Sequence, residues 1–412
     1  MSWDRAALEA LDRADPLGHF RTRFALPEGV LYLDGNSLGA LPRATVPRLE
    51  QTAAREWGEG LITSWLGAEW ITAPRRVGDK IAGLLGAEPG EVIVADSTSV
   101  NLFKALTAAL SLRPGRPVIL SEAGNFPTDL YMMQGIAAFS GGRVRAEAVA
   151  GEAVLERLGE DVAVLLLTQV HYKTGAVHDM AAVTRAAHEV GALVIWDLSH
   201  SAGAIPVDLN GAGADFAVGC GYKFLNGGPG APAYIFVARR HQAAAVPVLS
   251  GWFGHAEPFA FEDDYRPAGG IERFLCGTPS VLALAALECG VDLMAEADMG
   301  AVRAKSLVLG RIFIALMEAH CGAFGFTLAS PREEARRGSH VSFAQPQGYG
   351  IMQALKERGV IGDFRAPDVL RFGLTPLYLR HVDMLEAVMR IRDVCETRAW
   401  DDPRWKVRAA VT

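Results

Sequence analysis

The sequence predicts an α/β fold: a mostly parallel sheet with helices on both faces, followed by a smaller C-terminal domain of α+β type. Three observations lead there. Between Glu91 and Ala238, short apolar runs alternate with amphipathic helical runs, the rhythm of strand–helix–strand units. Near residue 295 that rhythm gives way to a long helical pattern and then to short mixed elements. The residues able to do chemistry fall just past the ends of the apolar runs, where ligands bind in open α/β sheets.

Taken in order, residues 1–45 read as an N-terminal arm. Its first stretch, MSWDRAALEALDRADPLGHF, interleaves charge with apolar residues and has no hydrophobic targeting core. Residues 46–295 form the expected large domain. Its strands are Val92–Ala95, Val118–Leu120, Val162–Thr168, Leu193–Asp197, Ala214–Gly221 and Pro232–Ala238, and its helices are Val100–Leu110, Asp129–Ala138 and Met180–Val190. A helical pattern from Val281 through His320 leads into residues 296–412. There the strands His340–Phe343 and Leu370–Leu374 mix with the helices Ile351–Arg358 and Val382–Thr397.

Composition narrows the function. The 412 residues are 50% hydrophobic and 21% charged, an ordinary balance for a globular protein. A net charge of -7 gives no broad basic surface, which argues against a nucleic-acid partner. The sequence shows no apolar run near the ~20 residues a membrane span needs. Five scattered cysteines form no Cys-x-x-Cys pair, so the expectation is a reduced, cytoplasmic protein without a zinc knuckle. His171 and His178, parted by a Thr174-Gly175 turn, lack helical ligand spacing, and no metal site is expected.

The most informative residue is Lys223, a single cation between an apolar strand and the run Asn226-Gly227-Gly228-Pro229-Gly230. Burial disfavours its charged form and suits it to condensing with an aldehyde. Asp197 ends a buried-strand pattern and requires a cationic partner, for which a pyridinium nitrogen would serve. A Schiff-base lysine and a carboxylate on a ring nitrogen are together how proteins hold pyridoxal phosphate.

Other residues fit around that pair. Ser97, Thr98 and Ser99 join a strand to a helix and suit a phosphate, or simply cap the helix. Thr128 or Asp129 is a second candidate cap, and the Phe126 ring suits either stacking on a flat ligand or core packing. His200 lies three residues past Asp197. Arg371, a guanidinium in an apolar strand, suits a substrate carboxylate or an internal ion pair. Gly35-Asn36-Ser37-Leu38-Gly39 satisfies the G-x-S-x-G pattern of a serine-hydrolase elbow, although Pro42 delays the helix an elbow should launch.

These and further blocks resemble kynureninase, a pyridoxal-phosphate enzyme of fold type I. The blocks are Tyr32 to Gly39, Trp57 to Trp65, Phe126 to Asp129, Asp197 to Gly203, Tyr222 to Gly230, Gly251-Trp252-Phe253-Gly254-His255 and Leu370 to Gly373. They span most of the chain in the family's order, and Gly-Trp-Phe-Gly-His and Asn-Gly-Gly-Pro-Gly are the most specific. The resemblance implies a seven-stranded sheet and hydrolytic Cβ–Cγ cleavage of L-kynurenine to anthranilate and L-alanine, with 3-hydroxykynurenine as a second substrate. It implies a homodimer with an active site shared between subunits. Lys223 would be the Schiff-base lysine, Asp197 the partner of the ring nitrogen, and Tyr222 a phosphate or cofactor contact; in the implied reaction Tyr222 is also the candidate for proton delivery in the later steps. Thr98, Ser99, Phe126, Asp129, Thr168 and His200 would contact the cofactor, with Trp252 and Thr278 reaching the partner's site. Arg371, Trp65, Asn36 and His255 would bind substrate.

Two departures stand out. Gly230 is followed by Ala231 where a second glycine is expected, and Cys276-Gly277-Thr278-Pro279 replaces the Ser-Asn-Pro of animal members, at the 3-hydroxykynurenine contact. Trp65 resembles the bacterial, kynurenine-preferring type. The rivals within the fold are a cysteine desulfurase, for which Cys321 is the best nucleophile, and an aminotransferase.

Overall fold

The computed structural model describes residues 3–408. A seven-stranded sheet forms its centre: β1 (Val92–Val94), β2 (Val118–Glu122), β3 (Arg145–Val149), β4 (Val162–Thr168), β5 (Leu193–Asp197), β6 (Phe216–Cys220) and β7 (Ala233–Val237). The spatial order is β1-β7-β6-β5-β4-β2-β3, and β7 alone runs against the rest. Strands buried on both faces read as unbroken apolar runs, and β4 and β5 are buried throughout. Their side chains still alternate between two cores. Val164, Leu166 and Ile195 pack with helix Thr98–Ser111, while Leu165, Leu167, Val194 and Trp196 face the other side. The strand that sequence reading omitted, β3, is the edge strand, half-exposed and polar in alternation, which hides it from a search for apolar runs.

The continuous helical pattern Val281–His320 is two helices, Val281–Ala295 and Met299–Cys321. Asp298 starts the second by accepting from Gly300 N and Ala301 N at 3.3 and 2.9 Å. The apolar periodicity runs across the joint and conceals this cap. Met299–Phe324 is also long and apolar enough to cross a membrane by length and composition alone, which the sequence reading did not recognise. In the fold, its Leu309, Ile312, Phe313 and Leu316 are core residues packed against helix His381–Glu396.

The C-terminal sheet is antiparallel, in the order Asp363–Arg365, Val369–Gly373, His340–Ala344, Thr327–Leu328. The N-terminal segment is sewn onto this region. Leu31–Tyr32 pairs in parallel with Val360–Ile361, and Asp12 caps helix His381–Glu396 through His381 N and Val382 N.

At the far end of the central sheet, the buried Asp215 carboxylate gathers Val194 N, Arg240 Nη2, His188 Nε2 and His241 Nε2 within 2.7–2.8 Å. Burial opposes its charge, but these donors win and hold it well below the usual carboxylate range. Asp215→Asn should therefore cost about 2 kcal/mol at pH 7, as expected for charge-assisted bonds lost from a buried acceptor. The stabilisation is complete above the unfolded carboxylate value of about 4 and is lost as pH falls from there towards the depressed folded value. Denaturant unfolding of both proteins should thus show the gap narrowing as pH falls below about 4.

Candidate active site

The carboxyl edge of the parallel strands collects the functional side chains. Thr168 ends β4 and Asp197 ends β5, and the two are register partners. Lys223 follows β6 by three residues, in a loop whose next turn uses Asn226 at φ 56°. Between them lies a cavity lined by Thr98, Ser99, Phe126, Asp129, Thr168, Asp197, His200, Tyr222 and Lys223. All nine were singled out from the sequence as catalytic or cofactor contacts. Ser97, Thr128 and Ser199 complete the wall.

Lys223 is 8% exposed, and its Nζ lies 3.3 Å from His200 Nε2. The rings of Phe126 and Tyr222 flank the amine at 5.6 and 5.8 Å from their centroids. Two glycines allow this loop to sit so deep. A side chain on Gly203 would meet Phe224 O at 2.9 Å, and one on Gly39 would meet the Lys223 carbonyl and, at 2.7 Å, Asn226 Cα. Gly39 N also donates to Tyr222 O at 2.7 Å, so the N-terminal segment braces the lysine loop from behind.

Burial dominates the electrostatics. It raises Asp129 well above the ordinary carboxylate value, with Asp197 adding to the effect. Asp197 is also raised by burial, against the pull of Ser199 and Lys223. Its Oδ1 accepts from Ser199 N at 2.7 Å. Burial pushes His200 far down, leaving a neutral imidazole, and Nε2 must carry the hydrogen because its 3.0 Å partner, the Asn36 carbonyl, can only accept. Tyr222 is held protonated, again by burial. The cavity thus sets one amine against two carboxyls that burial pushes toward their neutral forms.

The caps differ from expectation in part. Ser97 does cap helix Thr98–Ser111, accepting from Val100 N. Neither Thr128 nor Asp129 caps the other helix, which starts at Pro127 with Phe126 in the cap position and no side-chain bond. Proline at the first helical position supplies a helix-ready φ and has no N–H to satisfy.

The remaining candidates lie outside the cavity wall. Asn36 is buried behind His200, its side-chain amide without a partner among the described residues. Arg371 is buried and held by Asp363, by the Tyr172 carbonyl and, at 3.0 Å, by Ser37 Oγ. Tyr172 in turn packs edge-on against Phe126 at 5.3 Å, linking Arg371 to the cavity. Sequence reading missed Asp363, which lies eight residues before Arg371 on the neighbouring strand, and Tyr172, which meets Arg371 from a distant part of the chain. Ser37 Oγ donates to Asp363 at 2.7 Å and starts no helix, so it is a bracing hydroxyl and no nucleophile elbow. Cys321 is fully buried at a helix end with its thiol pushed up to about 12, unlike a mobile nucleophile.

Trp65 and Trp252 both pack on Phe253, His255 packs with Tyr265, and Thr278 is exposed. Around them large apolar side chains face outward: Ile62 and Leu66 at 76% and 78% exposure, with Trp57, Leu61, Phe259 and Phe261.

Residues 302–391 match the family model described as the kynureninase C-terminal domain. The chain is 52% identical over 408 residues to a kynureninase of Burkholderia pseudomallei (strain K96243) and 50% identical over 408 residues to that of Pseudomonas fluorescens, with 98% of each chain covered in both cases. Among solved structures it is similar to the cysteine desulfurase CsdA of Escherichia coli, with a TM-score of 0.78 at 21% identity over 92% of this chain and 98% of that one. It is also similar to a lysine-to-alanine mutant of C-DES with glycine covalently linked to its PLP cofactor, with a TM-score of 0.77 at 16% identity over 90% and 99%. At such identities these two likenesses speak for the fold alone.

Gly39→Ala should force the Lys223 carbonyl and Asn226 outward, costing about 1–3 kcal/mol as overpacking does. Chemical denaturation should register the loss, and cofactor uptake should fall with it.

Proposed function

The chain belongs to the kynureninase family, and from that premise we propose which of its residues carry the reaction. The activity is hydrolytic cleavage of the Cβ–Cγ bond of L-kynurenine to anthranilate and L-alanine, with pyridoxal phosphate as cofactor. The observation that carries the assignment of residues is the opposition of Lys223 and Asp197 across one buried cavity roofed by Phe126.

The residues present fit a flat pyridine ring with an anionic arm. Helix Thr98–Ser111 opens on the cavity with Thr98 and Ser99 in its first turn, where free N–H groups and the helix dipole favour a phosphate. At the other end, Asp197 is a buried carboxylate in want of a cationic N–H partner. Asp129 Oδ1 is buried without a partner among the described residues, and with burial favouring its neutral form beside Thr168 it would donate to a ring oxygen. Phe126 covers one ring face.

Bound to Lys223, the cofactor would supply an electron sink for the pair released at the substrate Cα. Lys223 Nζ, once freed by the substrate amine, takes the Cα proton. Asp197 keeps a proton on the ring nitrogen, without which that pair has nowhere to go. His200, neutral and fixed by the Asn36 carbonyl, borders the lysine without adding a competing charge. The Tyr222 phenol, protonated at neutral pH, is placed to deliver a proton as the carbon–carbon bond breaks after water has added to the γ-carbonyl. Asp363 and Tyr172 hold the Arg371 fork. The Nη2 hydrogen now on Ser37 is one that a substrate α-carboxylate would take.

Asn36, Trp65 and His255 would then bound the rest of the substrate, and Trp252 and Thr278 would contact the cofactor of a partner subunit. That part of the reading assumes a homodimer, which the exposed large apolar side chains Ile62, Leu66 and Phe261 support. Five free cysteines are in keeping with a reducing cytoplasm.

Anthranilate fluorescence from purified protein, pyridoxal phosphate and L-kynurenine tests the assignment. Lys223→Ala should lose at least ~10²-fold in turnover, the scale of a lost proton-transfer group, together with the visible band of the lysine-bound cofactor. Retention of substantial activity would remove Lys223 from its role. Arg371→Ala should mainly raise KM for L-kynurenine, and an unchanged KM would refute the carboxylate contact.

A further inference from the structure

Lys104 sits one to two turns into helix Thr98–Ser111 with its side chain entirely buried, beside Leu102, Ala105 and Leu106. A cation in such surroundings must be paired. Its Nζ donates to Asp96 Oδ2 and, at 2.5 Å, to the Phe274 carbonyl, and it faces the Cys276 thiol.

Asp96 is an unusual residue. It lies between β1 and the Ser97 cap, with its backbone in the left-handed region at φ 47°, a conformation that costs a non-glycine residue energy. Its carbonyl accepts from Ala233 N at 2.9 Å, which fixes the turn to β7. Its carboxylate stands two residues before Thr98, and Lys104 is its salt-bridge partner among the described residues. A free negative charge there would oppose any phosphate at the first turn of the helix.

We propose that Lys104 is a positioning residue for the cofactor phosphate: it neutralises Asp96, holds the strained Asp96–Ser97 turn in place, and ties that turn to the Phe274–Thr278 segment. This rests on the reading above that Thr98 and Ser99 receive the phosphate. Lys104 never touches the ligand. It keeps the helix mouth free of negative charge, and through the Phe274 carbonyl it couples that mouth to the segment bearing Thr278.

The test compares binding of pyridoxal 5′-phosphate and of pyridoxal, which lacks the phosphate, to apoprotein of the wild type, Lys104→Met, Asp96→Asn and the double variant. Lys104→Met should raise the dissociation constant for pyridoxal 5′-phosphate at least ~10-fold and that for pyridoxal less than ~2-fold, because the exposed charge acts on the phosphate alone. Adding Asp96→Asn should recover most of the loss. A lesion shared equally by both ligands, no loss at all, or a double variant as weak as Lys104→Met would overturn the proposal. Should Lys104→Met not fold, Asp96→Asn alone decides: unchanged or tighter binding of pyridoxal 5′-phosphate supports the role, and a loss beyond ~10-fold refutes it. A wild type that binds the two ligands equally would instead overturn the phosphate reading of Thr98 and Ser99. A phosphate-selective wild type with an unaltered Lys104→Met overturns the role of Lys104 alone.

Discussion

The site depends on one amine being kept in the interior. Lys223 is enclosed by two aromatic rings and a neutral imidazole, and its countercharges are carboxyls that burial itself pushes toward their neutral forms. None of these groups would be tolerated there singly. Together they form a cavity in which small changes of charge move protons, which is what cleavage next to an amino acid's Cα requires. The parallel sheet makes the arrangement possible, because adjacent strands end side by side and place Thr168 next to Asp197 without any special loop.

A second layer holds the first. Asp363 fixes Arg371, Asn36 fixes His200, and the backbone of Gly39 fixes the loop of Lys223. These contacts come from the N-terminal segment and the C-terminal sheet, so the central sheet and its helices supply the cavity wall and the other parts of the chain set its geometry. That division explains why buried polar residues crowd the joint between the parts, where a hydrophobic core would pack but would not orient.

Much of this was legible in the sequence, for identifiable reasons. The central strands announce themselves as apolar runs because both faces are buried, and Asp197 and Lys223 stand out because charge interrupts those runs. The edge strand Arg145–Val149 was not legible, since it is polar on its open side. The break at Asp298 was lost because a single cap cannot outweigh continuous apolar periodicity. The nine wall residues follow strands or open helices, where position along the chain foretells position in space. The partners of Arg371 do not: Asp363, eight residues away, faces it from the short strand Asp363–Arg365, whose two charged residues announce no apolar run, and Tyr172 comes from a distant segment.

The pairing of Leu31–Tyr32 with Val360–Ile361 also bears on the order in which the molecule can be assembled. A ribosome makes the second strand more than three hundred residues after the first, so the earlier segment has nothing to pair with until Val360 and Ile361 have been made. Contacts of such long sequence separation are slow to form and leave their apolar surface open in the meantime. The lysine loop that Gly39 braces is therefore among the last parts of the newborn chain to settle, and a truncation near the carboxyl terminus would be felt at a loop in the middle of the sequence.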